Sequence, residues 1–332
     1  MESNASRRAS AEGALPRVLV VGVGGGGCNA VDHMLRLVRG VEFAVIDSDA
    51  QRLARTSAPR RLQIGAAATM GRGAGADPLV GREVAREEED AFADLVRGAD
   101  VVVVVAGLGA GTGGGAAPVV CDVARRLGAL TLAVVTLPFS FEGPRRREQA
   151  LECLDDVTCA AHTTVVLTGS GILASWAHRE IDVNPFIEAD RAISRAVQVL
   201  AGLATGVDGT GLAALRQAPG LAMMGAGVAE GPHRLREAVR RALASPLLAR
   251  MGLPHAHRLL LTFIGASSLG RDEVAATVRM LGEATGGRED LGVGRVIDDS
   301  MGNAVEVVLF ATGARETIHA GCPSEEAVGV QE

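Results

Sequence analysis

AGLGAGTGGGAAPVV, residues 106 to 120, follows five consecutive valines, Val101 to Val105, and runs into an apolar helical pattern ending at Gly128. An uninterrupted β-branched run reads as a strand buried on both faces. Glycines directly after such a strand let the backbone turn its N–H groups onto an anion without steric penalty, and Thr112 adds a hydroxyl donor. Strand, glycine turn and helix in that order place a phosphate at a helix N-terminus.

A second element of the same kind lies upstream. PRVLVVGVG (16–24) is a strand running into a glycine loop, and CNAVDHMLRLV (28–38) continues as an amphipathic helix. Gly22, Gly24 and Gly27 spell GxGxxG, and Asp47 and Asp49 follow about 20 residues later, which taken singly is a dinucleotide fingerprint. Two glycine loops on one sheet fit a single polyphosphate gripped between them better than they fit a dehydrogenase. A nicotinamide-dependent oxidoreductase stays open as the remote alternative.

The rest of the chain follows the same rhythm. VEFAVIDSD (41–49), ALTLAVVTLPF (129–139) and TTVVLTG (163–169) read as further strands, and PLVGREVAREEEDAFADLVRG (78–98) as one helix with a charged outer face. A loop rich in Gly and Ala spans residues 65 to 77. Apolar strands alternating with helices predict a parallel sheet covered on both faces, with ligands at the carboxyl ends of its strands. PFIEADRAISRAVQVLAGLA (185–204) is a long central helix, and beyond TGVDGTGL (205–212) the segments ASPLL, HRLLLTFIGAS, RDEVAATVRMLGEAT, RVIDDSM and AVEVVLFATG predict a smaller α/β unit. The expected division is a disordered leader (1–15), a nucleotide-binding domain (16–185), the central helix with its following loop (186–211), a C-terminal α/β domain (212–315) and a tail (316–332).

Composition narrows the chemistry. The 332 residues carry a net charge of −6, which speaks against a dedicated nucleic-acid binder. All 33 basic residues are Arg, so a Walker lysine, a kinase strand lysine and a Schiff-base lysine are excluded. Without lysine, backbone amides and helix dipoles are expected to carry the anion binding. The five cysteines (Cys28, Cys121, Cys153, Cys159, Cys322) form no CxxC or zinc spacing, and His255 and His257 in PHAH read as a loop feature; no metal site is expected. No stretch of apolar residues reaches membrane-spanning length, and a reduced cytoplasmic setting is expected.

Taken in order, GVGGGGCNAV, VEFAVIDSDAQ, GRGAGADP, AGLGAGTGGGAAPVV and TLPFSFEGPRR resemble the nucleotide-binding loops of the tubulin/FtsZ superfamily. The resemblance to bacterial FtsZ continues through FIEAD, LAMMGAGVAEG and ASPLL and covers about residues 16 to 313. It implies GTP or GDP as ligand, with Mg2+ as a candidate companion. The α- and β-phosphates would lie on Gly24, Gly25 and Gly26, with Asn29 at the helix start. Ala74, Gly75 and Ala76 would approach the γ-phosphate, and Gly109, Ala110, Gly111, Thr112 and Gly113 would surround the β- and γ-phosphates. Glu142 would hold the ribose hydroxyls with Arg146 alongside.

Base choice follows from spacing. Phe186 and Asp190 stand at i, i+4 and share one helix face, so a ring can stack on a purine while a carboxylate accepts from N1–H and the 2-amino group of guanine. Adenine would leave that carboxylate unpaired.

Several positions depart from the family pattern. Gly114 stands where a polar residue is usual, Cys28 and Asp77 where Asn is common, and Gly169 where a base-contacting Asn is expected. Together they predict weaker or altered GTP binding. In the loop that FtsZ projects into the next subunit's site, Asp208 matches the first acid, while Gly206 replaces Asn and Gly211 the second acid. The expected protein is an FtsZ-like filament former, assembling head-to-tail, with weak GTP hydrolysis; the alternative is a non-hydrolysing scaffold or regulator of another FtsZ-family protein. The tail lacks the short apolar-and-basic peptide with which division FtsZ proteins usually engage membrane tethers.

Overall fold

The structure is a computed structural model and describes residues 15–176, 184–205, 215–216, 220–248, 256, 258–284 and 291–312. Asp208, Gly206, Gly211, His255, His257, Cys322, the leader up to residue 14 and the tail lie outside the described residues.

Ten strands form one sheet in the order β3-β2-β1-β4-β5-β6-β7-β10-β8-β9. The first seven are β1 (Val18–Val23), β2 (Glu42–Asp47), β3 (Arg60–Gln63), β4 (Val101–Gly107), β5 (Leu130–Leu137), β6 (Thr163–Thr168) and β7 (Gly220–Ala229). Their pairings are all parallel, as the alternation of strands and helices predicts. β10 (Val305–Thr312) runs antiparallel to both β7 and β8 (Arg258–Gly265), and β9 (Leu291–Ile297) is parallel to β8.

The valine run explains why β4 is central. Val102 and Val104 enter one core, together with Leu19 and Val21 of β1. Val101, Val103 and Val105 enter the other, with Val18 and Val20. Period-two alternation between two apolar layers means that neither face can meet water.

On one face lie α4 (Pro78–Glu87), α5 (Glu89–Val96), α6 (Gly111–Arg126), α7 (Pro144–Ala160), α10 (Arg234–Leu243) and α11 (Arg271–Ala284). On the other lie α1 (Gly24–Met34), α8 (Gly169–Trp176) and the long α9 (Pro185–Thr205). Short α2 (Ala50–Arg55) and α3 (Ala66–Thr69) flank the β2–β3 edge. α9 buries Ala189, Ile193, Ala196, Val197, Leu200, Leu203 and Ala204, a stripe at helical period that seats it against the sheet.

Two expectations change. The helix expected over 78–98 is two helices, because Glu88 leaves helical geometry (φ −109, ψ 18). Four acids from Glu87 to Asp90 repel within one turn, and restarting the helix moves Glu89 and Asp90 to a favourable positive N-terminus. The strand β3, RRLQ, was invisible as an apolar run because it is a charged edge strand.

Candidate nucleotide site

The two glycine stretches, expected as loops, are wound into first helical turns. α1 begins at Gly24 directly after β1, and α6 begins at Gly111 after β4. Val23 and Ala110 occupy the N-cap positions, and neither end has a side-chain cap. The leading N–H groups therefore have no side-chain acceptor and face outward at the positive ends of two helices. Glycine permits this pairing. At Gly24, with φ +70, a Cβ would lie 2.5 Å from the nitrogen of Gly113, so no other residue lets the two turns abut so closely.

Both helix starts open onto one cavity of about 450 Å3 at the carboxyl ends of the strands. Gly25, Gly26 and Asn29 line it from α1, and Ala110, Gly111, Thr112 and Gly113 from α6. Ala74, Gly75 and Ala76 close one side, with Glu142 and Arg146 on another. Phe186 and Asp190 stand at the far end on α9. Two expected residues do not line the cavity. Gly24 is the left-handed hinge beneath α1, and Gly109, at φ +82, packs where a Cβ would meet the carbonyl oxygen of Arg146 at 2.4 Å.

The polar groups are ordered by one another. The Thr112 hydroxyl shares a 2.6 Å hydrogen bond with buried Ser48, so β2 fixes its position. Glu142 accepts from the backbone N–H of Phe139 at 2.9 Å and pairs with Arg146 at 3.0 Å, leaving lone pairs available to hydroxyls. Asp47, buried at the end of β2, accepts from the Asp49 N–H at 3.1 Å and lies 3.7 Å from Arg52; burial nonetheless raises its carboxyl above the usual range. Asp49 caps α2 by accepting from Gln51 and Arg52. The two acids of the dinucleotide fingerprint are thus engaged with the protein itself.

Asp190 differs from all of these. It is half-buried, its carboxyl has no partner among the described residues, and burial alone pushes it up to about 7. Around it the wall is apolar: Ile172, Ala189, Ile193 and the rings of Phe139 and Phe186. Phe186 meets Phe139 edge-on at 5.5 Å, and Phe141 stacks on Phe139 at 5.1 Å. An unpaired carboxylate beside aromatic rings is a receptor for a flat heterocycle with two adjacent N–H donors.

The departures look different in three dimensions. A side chain at Gly114 would point at Cys153 of α7, with its Cβ 2.6 Å from the sulfur, and not into the cavity. Asp77 caps α4 by accepting from the Leu79 N–H at 2.9 Å and does not line the cavity, so its charge serves the helix start that Asn would also cap. At Gly169 a Cβ would meet Phe139 backbone atoms at 2.7 and 2.8 Å; the chain at Phe139 fills the place of the expected Asn. Cys28 places its thiol 3.9 Å from Asp47, and burial pushes it up to about 12.

Sequence reading missed Arg52, Arg72 and Phe139, all of which line the cavity. Phe139 directly follows β5, a strand legible in the sequence, whereas Arg52 and Arg72 lie beyond β2 and the charged edge strand β3 and are brought to the same rim only by packing. Among the described residues, no group of three His, Cys, Asp or Glu is placed to hold a metal ion, and no helix is long and apolar enough to cross a membrane.

Comparison with known proteins bears on this geometry. Residues 17–175 match the Tubulin/FtsZ family, GTPase domain, and residues 220–315 the FtsZ family, C-terminal domain. An empty FtsZ dimer from M. jannaschii is 31% identical with a TM-score of 0.84, covering 95% of this chain and 93% of that one. CetZ2 from Haloferax volcanii, solved as a GTPγS-bound protofilament, is 20% identical with a TM-score of 0.74, over 92% of this chain and 99% of that one. CetZ1 from the same organism, a GDP-bound monomer, is 23% identical with the same TM-score, over 90% and 94%. The two CetZ likenesses speak to the fold.

Proposed function

Because this chain belongs to the tubulin/FtsZ family and has its GTPase fold, we propose that it binds GTP and GDP, assembles head-to-tail into filaments and hydrolyses GTP slowly. The observation that carries the reading is the unpaired carboxyl of Asp190 facing, across one cavity, two helix N-termini without side-chain caps. Guanine donates N1–H and the 2-amino group to Asp190 and packs on Phe186. The phosphates lie on the amides of Gly25, Gly26 and Ala110 to Gly113, with Ala74 to Ala76 beside the outermost one and Mg2+ as their counter-ion. Glu142, oriented by Arg146 and the Phe139 N–H, takes the ribose hydroxyls.

Hydrolysis in this reading depends on the neighbouring subunit. A site completed by the next chain's loop is a head-to-tail contact, which does not close and so propagates a filament. The relative from M. jannaschii, solved as a dimer, supports self-association. The loop residue Asp208 supplies one acid, and Gly211 withholds the second. Loss of a carboxylate positioned to activate water lowers the rate by about 10²–10⁴.

Phosphate release from GTP measured against protein concentration, with pelleting in parallel, tests this. Pelleting with negligible turnover, and turnover restored in Gly211→Asp, is the expected result. Cooperative turnover in the unaltered chain would show that Gly211 is no impediment. Absence of both pelleting and turnover would favour a regulator that keeps only the fold.

A further inference from the structure

Seven charged side chains line the cavity: the carboxyls of Asp47, Asp49, Glu142 and Asp190, and the guanidiniums of Arg52, Arg72 and Arg146. Carboxyls outnumber guanidiniums at a place where, on the reading above, a polyphosphate adds several further negative charges. Two helix dipoles offset part of that repulsion. The arginines are the only full positive charges available among the described lining residues, and they are not equivalent.

Arg146 is paired with Glu142 at 3.0 Å. Arg52 lies over the first turn of α1, where a Cβ on Gly25 would be 2.8 Å from its Cζ; it is held loosely, 3.7 Å from Asp47 and 3.5 Å from the Asn29 side-chain oxygen. Arg72 makes no side-chain hydrogen bond or ion pair among the described residues, although its backbone is firmly set. It bridges to Asp49, its N–H donates to the Thr69 carbonyl at 3.0 Å, and the adjoining Gly71 carbonyl accepts from Ala50. Two residues on, Ala74 packs on the start of α6, where a Cβ on Gly111 would meet the Ala74 Cβ at 2.8 Å. A fixed backbone presenting an uncompensated guanidinium at the rim is a charge awaiting an anion.

We infer that Arg52 and Arg72 form a divided phosphate clamp, Arg52 on the inner phosphates and Arg72 on the outermost one, so that Arg72 sets the preference for a nucleoside triphosphate over a diphosphate. This rests on the nucleotide reading above. It assigns to side chains a share of the anion binding that the absence of lysine leaves to backbone alone.

The test is titration of the nucleotide-free chain with fluorescent GTP and GDP analogues, for the unaltered protein, Arg72→Ala, Arg52→Gln and Asp190→Ala. Arg72→Ala weakens GTP roughly 10- to 100-fold while leaving GDP within about threefold. Arg52→Gln weakens both nucleotides by a similar factor. An unchanged ratio of GTP to GDP affinity in Arg72→Ala overturns the clamp. If Asp190→Ala at the same time weakens both nucleotides, the guanine reading stands without it. An unaltered chain that binds neither nucleotide overturns both.

Discussion

Asp190 is a carboxyl kept ready in an apolar wall, and its ionisation couples binding to pH. In the empty protein burial holds it up to about 7, while guanine requires the ionised form. Binding therefore releases a proton below that value: GTP affinity is flat above about pH 7 and falls about tenfold per pH unit beneath it. Titrations from about pH 5.5 to 8.5 should show this slope, and Asp190→Ala should abolish it while weakening GTP by about 2 kcal/mol. The sign for stability is opposite. A raised carboxyl favours the empty folded state fully below the ordinary value of 3.8, and that contribution is lost as pH rises through about 7. A pH-independent GTP affinity would remove Asp190 from the base site.

Between elements, the glycine turns make close contacts that leave no room for a side chain. α6 approaches α7 at Gly114, where Cys153 takes the space a side chain would need. Gly114→Ser should cost about 1–3 kcal/mol by overpacking, and the cost should shrink in a Cys153→Ala background. Denaturant unfolding of the two single variants and the double variant measures that coupling; additive costs would mean that α7 does not limit residue 114. By the same reasoning Gly169→Asn, which restores the usual family residue, should destabilise by about 1–3 kcal/mol and displace Phe139 from the base end. A variant as stable as the parent, with tighter GTP binding, would mean that the Phe139 segment yields easily.

At the scale of the whole molecule, an ion pair joins the central helix to the antiparallel part of the sheet. Arg195 of α9 donates Nε–H to Glu306 of β10 at 2.7 Å, in a site where burial lowers the guanidinium below its ordinary value. Both side chains are largely buried, so removing one partner strands a charge. Glu306→Gln should cost about 3–5 kcal/mol, whereas replacing both residues by Leu and Met should be close to neutral. Equal losses in the single and double variants, read by denaturant midpoints, would contradict this account.

Most of the sheet was legible in the chain because buried parallel strands are long apolar runs: VVVVV, VLVVGV and LTLAVVTL can be read without knowing their neighbours. The site was legible for a related reason. Glycine turns after strands, and a Phe and an Asp one helical turn apart, are local patterns with local chemistry. Other features depend on who meets whom. β3 became a strand only by pairing with β2, and Arg52 and Arg72 reached the cavity only because β2 ends at its rim. Gly114 and Gly169, which look like losses at the ligand, prove to be places where Cys153 and Phe139 already fill the space. Sequence periodicity fixes which way a residue faces within its own element; steric occupation by distant residues is decided only when the elements pack.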